Sequence, residues 1–287
     1  MNTSVFLPSM HLKNSLYLDK KDYDLNLLLN YDMLKDERAA LIVHTAPPEK
    51  YASVGVADMG FLGMQKDGFI SSVEGQEVLL YSPFYVMSGV NEKGFSITTL
   101  WLPGISKSVD TGLTKIYSGL IPRYMLDNAR SVQDALEKFS KLDVKMAFAD
   151  KKCAFHWLLN DAYGDSAVVE FVNNQFIAQP KAFTAKHQVA ANYWVTPLEK
   201  INGENGFSRT KMIEKNFKKT KYPTNQQVLD WLLLAVPEKD KELLKIKNGS
   251  LNLTTVWTVV YDLAKRTGEI CMREDQYHKY GFGIKYK

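Results

Sequence analysis

The stretch SGVNEKGFSITTLWL, residues 88–102, decides the fold class. Its centre, Asn91-Glu92-Lys93-Gly94, is built of turn-forming residues, while the approach YSPFYVM and the exit GFSITTLWL have the aromatic and β-branched content of strands. Working outward, further strand-like runs precede it: AALIVHT (39–45), YASVGVA (51–57) and EVLLYS (77–82). A helical block is expected over 113–126. A second helix is opened by Ser131 with Asp134 three residues on, a variant of the capping box, and Val132, Ala135, Leu136 and Phe139 give it one apolar face. Strands resume with CAFHWLLND (153–161), SAVVEFV (166–172) and QVAANYW (188–194). A helical region then runs from Ser208 through NQQVLDWLLLAV, with Thr224 or Asn225 as its cap. The chain closes on a hairpin of TTVWTVVYDL and GEICMRE. Blocks of strands and helices that do not alternate one for one imply an α+β fold with antiparallel sheets rather than βαβ units. Two sheets covered by helices on their outer faces satisfy this order.

The 287 residues, 45% hydrophobic and 12% aromatic, suffice for a large core, and no repeat or linker divides them. One domain over 1–287 is expected, with residues 1–13 as a poorly ordered or variable extension. Lys and Arg number 36 against 32 Asp and Glu, and the resulting +4 is spread along the chain, so no nucleic-acid partner is implied. The opening MNTSVFLPSMHLK lacks a basic leader followed by an unbroken apolar run, and no stretch is long and apolar enough to span a bilayer. A cytoplasmic protein is the simplest expectation. Cys153 and Cys271 read as reduced core thiols, with a disulfide as the alternative. The five histidines lack metal-like spacing, and neither a metal nor a cofactor is expected.

Several stretches in order resemble the choloylglycine hydrolase, or linear amide C–N hydrolase, family of N-terminal-nucleophile enzymes, which includes bile salt hydrolases and penicillin V acylases. SGVNEKGFSI resembles the family's Gly-Met-Asn-Glu-Lys-Gly-Leu segment. FHWLLNDAYGDSAVVEFV (155–172) resembles its His-Trp-x-x-x-Asp-x-x-Gly-x-Ser-x-x-x-Glu stretch. QVAANYW and FSRTKMIE resemble an Asn-bearing strand end and an Arg-bearing helix start, and the C-terminal hairpin resembles the closing one. The resemblance implies a four-layer αββα sandwich, activity on an N-acyl amide small molecule, no cofactor, and a possible homo-oligomer.

In that family a cysteine at the mature N-terminus attacks the amide carbonyl, and its own α-amine, with a pKa of about 8, takes the proton. Amide donors then hold the oxyanion, worth about 3–4 kcal/mol each. By resemblance Asn91 and Asn192 take the oxyanion role, Asp32 accepts from the α-ammonium, and Arg209 braces the site. Leu29 stands where the family's first arginine organises the thiolate. Counting back from Asp32 places the nucleophile near residues 12–15, with Asn14 as the aligned position. An asparagine amide is no nucleophile in this chemistry, and Ser15 serves only if the Asn14–Ser15 bond is cut. Two readings follow: a hydrolase of linear amides, or an inactive relative that binds an acyl amide or a protein partner. Without the flanking matches, Asn91 would read as a plain turn residue, Asn192 as a buried satisfied amide, and Asp32 as an exposed loop carboxylate. Phe84, Tyr85, Trp101, Tyr193 and Trp194 flank the expected pocket as candidate acyl-binding aromatics, though such positions are more often core or rim.

Overall fold

A computed structural model describes residues 3–8, 25–34, 40–58, 60, 71–102, 110–146, 154–196, 206–220, 223–235, 243–246, 249–272 and 275–284. The strands are β1 (Thr3–Pro8), β2 (Leu25–Leu34), β3 (Ala40–Thr45), β4 (Ser53–Asp58), β5 (Val86–Asn91), β6 (Ser96–Leu102), β7 (Thr114–Tyr117), β8 (Leu142–Lys145), β9 (Ala154–Asn160), β10 (Ser166–Val172), β11 (Gln175–Pro180), β12 (Gln188–Ala191), β13 (Leu243–Ile246), β14 (Gly249–Asp262), β15 (Thr267–Met272) and β16 (Asp275–Gly283). The helices are α1 (Val73–Leu79), α2 (Ile121–Asn128), α3 (Val132–Phe139), α4 (Phe207–Lys219) and α5 (Asn225–Leu234). One seven-stranded sheet has the order β12-β1-β2-β14-β15-β16, with β13 also on β14; the other runs β11-β10-β9-β6-β5-β4-β3. Among the described residues every pairing within the two large sheets is antiparallel, and only the small β7–β8 pair is parallel.

Strand alternation sends successive side chains to opposite faces, and the three larger apolar clusters of buried residues define four layers. Phe155, Trp157 and Leu159 of β9 pack with Ile121, Met125 and Phe139 of α2 and α3. The other face of that sheet, including Leu100, Leu158 and Val54, meets Leu27, Leu29, Trp257 and Val259 of the second sheet. The outer face of the second sheet, with Val5 and Leu28, packs under Ile213 of α4 and Val228 and Leu232 of α5. The αββα sandwich is therefore present, and each fully buried Leu or Val contributes about 1.5–3 kcal/mol of transfer free energy to it.

Several local expectations are corrected. Residues 3–8 form β1, paired with both β2 and β12, and do not belong to a poorly ordered extension. Alternation explains the placement: Ser4 is buried with its Oγ donating to Leu28 O at 3.2 Å, while Val5 joins the apolar layer beneath α4 and α5. The run EVLLYS falls in α1 and the turns after it rather than a strand, because the Ser72 Oγ accepts from Gly75 N and starts a helix upstream of it. The helix expected over 113–126 begins only at Ile121, after the short strand β7. The helical region expected from Ser208 contains two helices, α4 and α5, and the second opens on Thr224, whose side chain forms a full capping box with Gln227. The Ser131 cap and the apolar face of α3 occur as expected.

Candidate active site

Asn192 follows the last residue of β12 and is fully buried. Its Oδ1 accepts from Arg209 Nη2 at 3.0 Å and its Nδ2 donates to the Trp101 carbonyl at 2.6 Å. The carboxamide thus bridges the sheets, since Trp101 lies near the end of β6 in the opposite one. Arg209, only 4% exposed, sits in the first turn of α4. That helix can come so close because it starts at Gly206, which has φ +91°. A Cβ at Gly206 would meet Asn192 N at 2.8 Å and Arg209 Nη2 at 3.1 Å. A guanidinium on the amide oxygen polarises the carboxamide and fixes its rotamer, making the amide hydrogens stronger, preorganised donors.

The register brings other elements to the same edge. Thr3, the first residue of β1, pairs with Ala191 on one side and Asn30 on the other. Asp32 lies further along β2, opposite Thr255 of β14, where the register slips between Thr255 and Trp257. The backbone of Asp32 is therefore placed just past the start of β1. Leu29, at the position of the family's first arginine, is 1% exposed and packs between the sheets with Leu27, Trp257 and Val259. Asn14 and Ser15 lie outside the described residues, in the connection between β1 and β2.

Beyond Asn192 the chain is pinned by Glu170 of β10, which is fully buried and accepts from Val195 N at 2.8 Å and Thr196 N at 2.9 Å. His156 Nδ1 lies 3.2 Å from the same carboxylate. Burial raises the Glu170 pKa, but the hydrogen bond from His156, the charge of His156, and the bonds from Thr196 and Val195 outweigh it and hold the carboxyl below the ordinary glutamate value. Tyr193 meets Phe207 edge to face at 5.5 Å, and Trp194 packs with Leu102 and Ala154.

Asn91 is elsewhere. It ends β5 beside Ser96, the start of β6, whereas Asn192 contacts Trp101 near the end of β6. At about 3.3 Å per residue the two asparagines are separated by roughly 17 Å along the strand. The Asn91 side chain is consumed by main chain: Nδ2 donates to Leu126 O (2.9 Å) and Ala129 O (2.7 Å), and Oδ1 accepts from Lys93 N and Phe95 N (both 3.1 Å). It closes α2 onto the β5–β6 turn, so this geometry argues against an oxyanion role. Sequence reasoning gave Trp101 only a lining role and did not single out Gly206, His156 or Glu170. A glycine just ahead of FSR was the available signal for the first, and the quoted His-Trp and Glu positions were the signal for the others. Cys271 is buried in β15, where burial raises its thiol pKa, and Cys153 lies outside the described residues. Among the described residues no group of three or more His, Cys, Asp or Glu is arranged to hold a metal, and no helix is long and apolar enough to cross a membrane.

Comparison with known proteins agrees with this architecture. The family described as linear amide C–N hydrolases, choloylglycine hydrolase family, matches residues 26–192, more than half of the chain. The chain belongs to this family. A penicillin V acylase of Pectobacterium atrosepticum is 27% identical over 190 residues, covering 60% of this chain and 48% of the relative, so the chain spans about half the length of that relative. Among solved structures, a mutant of the conjugated bile acid hydrolase from Clostridium perfringens matches with a TM-score of 0.67 at 15% identity, covering 99% of this chain and 92% of that one. The penicillin V acylase of Agrobacterium tumefaciens matches with a TM-score of 0.61, also at 15% identity, covering 98% and 86%. At such identities the likeness establishes the fold.

Proposed function

We propose that the chain recognises the amide group of an N-acylated small molecule at the edge where β12, β1 and β6 converge, and that it does so without the cysteine chemistry of its family. The observation that carries this reading is the Asn192 carboxamide, held between the Arg209 guanidinium and the Trp101 carbonyl. Such a donor suits a carbonyl oxygen, and the charge behind it strengthens the interaction as negative charge builds. The described cysteine, Cys271, is buried in β15 and has no part at this edge. Because β1 leads into the edge at Thr3, the position equivalent to the family nucleophile is the residue preceding it, Asn2, rather than Asn14. Asn2 itself lies outside the described residues.

A panel of penicillin V, a conjugated bile acid and simple N-acyl amino acids tests the reading, with binding followed by calorimetry and hydrolysis by amine release. Saturable binding without amine release is expected. Asn192→Ala should weaken binding about tenfold or more, the cost of a lost charge-supported hydrogen bond. Unchanged binding by that variant, or no saturable ligand in the panel, would overturn the proposal. A second reading rests on Thr3 opening β1 beside Ala191: a chain trimmed to begin at Thr3 would present a hydroxyl and an α-amine on one residue. Amine release by protein whose N-terminal sequence starts at Thr3 would establish it.

A further inference from the structure

The segment 192–196 is fixed at both ends by different means. At Asn192 the chain turns sharply, with Tyr193 N donating to Ala191 O at 2.8 Å. Three residues on, two consecutive main-chain N–H groups, of Val195 and Thr196, converge on the two oxygens of one buried carboxylate, Glu170. Gln179 Nε2 adds a bond to the Thr196 Oγ1 at 3.2 Å. A carboxylate is the one side chain that can accept both N–H groups and the His156 Nδ1–H, because a carboxamide would turn an N–H toward a main-chain N–H. His156 lies opposite Leu100 on β9, one position from the Trp101–Phe155 pair, so it sets Glu170 from the strand that flanks β6.

We propose that Glu170, oriented by His156, is a positioning residue for Asn192. By setting the path of residues 193–196 it fixes the reach of the Asn192 carboxamide between Arg209 and Trp101, and so tunes the donor offered to an amide ligand; this last step rests on the reading of Asn192 given above. A purely structural clamp would hold the segment without affecting the Asn192 side chain, and this separates the two accounts.

The test is Glu170→Gln in the full chain, uniformly 15N-labelled. Amide exchange at Val195 and Thr196 should speed up by about tenfold or more as the buried bonds fail. The Asn192 side-chain NH2 pair should shift or broaden while the Asn91 pair stays in place, and Glu170→Asp, which keeps the charge, should restore part of both signals. Faster exchange at Val195 and Thr196 with the Asn192 pair unmoved would overturn the proposal. If Glu170→Gln does not fold, Glu170→Asp decides alone: a shifted Asn192 pair supports positioning and an unmoved one refutes it. Penicillin V affinity, measured in parallel, tests the ligand reading separately, because the Asn192 signal needs no ligand.

Discussion

At one end of the sandwich Asn91 places its carboxamide on four main-chain groups; at the other, Asn192 has its oxygen on a guanidinium and its nitrogen on a carbonyl of the opposite sheet. Both side chains are fully buried and both sit at strand ends. The first closes a turn onto a helix, and its donors and acceptors serve the backbone. The second is held by a charge, which polarises the carboxamide. Burial and residue type alone do not separate a structural asparagine from a site asparagine; the identity of the hydrogen-bond partners does.

The strongest challenge to this contrast is to place charge in the apolar layer joining the two ends. Leu29→Arg, which restores the family residue, should cost about 3–5 kcal/mol in a urea melt, because the guanidinium would enter the Leu27, Trp257 and Val259 cluster. Near-native stability would mean that a carboxylate reaches it and that the layer is more open than described. Asn91→Ala comes next, at about 2–4 kcal/mol, since it strands two carbonyls and two N–H groups. Affinity per folded molecule should be unchanged; a loss of affinity would break the comparison. Gly206→Ala should cost about 1–3 kcal/mol, from a positive φ and a Cβ crowding Asn192 N, and should weaken ligand binding as well.

The smallest effect is one of pH. Glu170 titrates below its ordinary value in the folded chain, so its contribution is present above the unfolded glutamate pKa and is lost as pH falls through the folded one. Acid unfolding below pH of about 4.5 should therefore be less steep in Glu170→Gln than in the parent chain. Equal slopes would show that other carboxylates carry the transition.

Much of the sandwich was legible because alternation and turn chemistry are local. The runs that became β3, β4, β6, β9, β10, β12 and β15 were marked by their own residues. EVLLYS misled because its apolar content fits either element, and the deciding group, the Ser72 hydroxyl, lies outside the run. β1 was missed because Thr3–Pro8 pairs with strands distant in sequence, and only that pairing separates it from an extension. At the site, Asn192 and Arg209, which the structure brings together, were legible because a strand end and a helix start each carry a local signature. The separation of Asn91 from Asn192 was not legible, because the position of a motif along a strand does not say which end of the sheet it reaches. The stretch FHWLLND shows this within one strand: His156 serves the Asn192 end, while Asp161, at the other, accepts from Val132 N and caps α3. Glu170 was not singled out because two of its partners, Val195 N and Thr196 N, are main-chain groups that side-chain patterns do not reveal, although the His156 and Glu170 positions of the quoted stretch were a signal.

We propose that the reactive edge of this fold lies where β1 begins, beside Asn192. The most direct test is the intact mass of an Asn2→Cys chain, its initiator methionine removed, after incubation with the acyl-amide panel. A mass increase equal to one acyl group, abolished by Asn192→Ala, is the predicted result. The contrary result would be no acylation of that chain, together with acylation of a chain shortened to start at residue 14 and carrying Asn14→Cys.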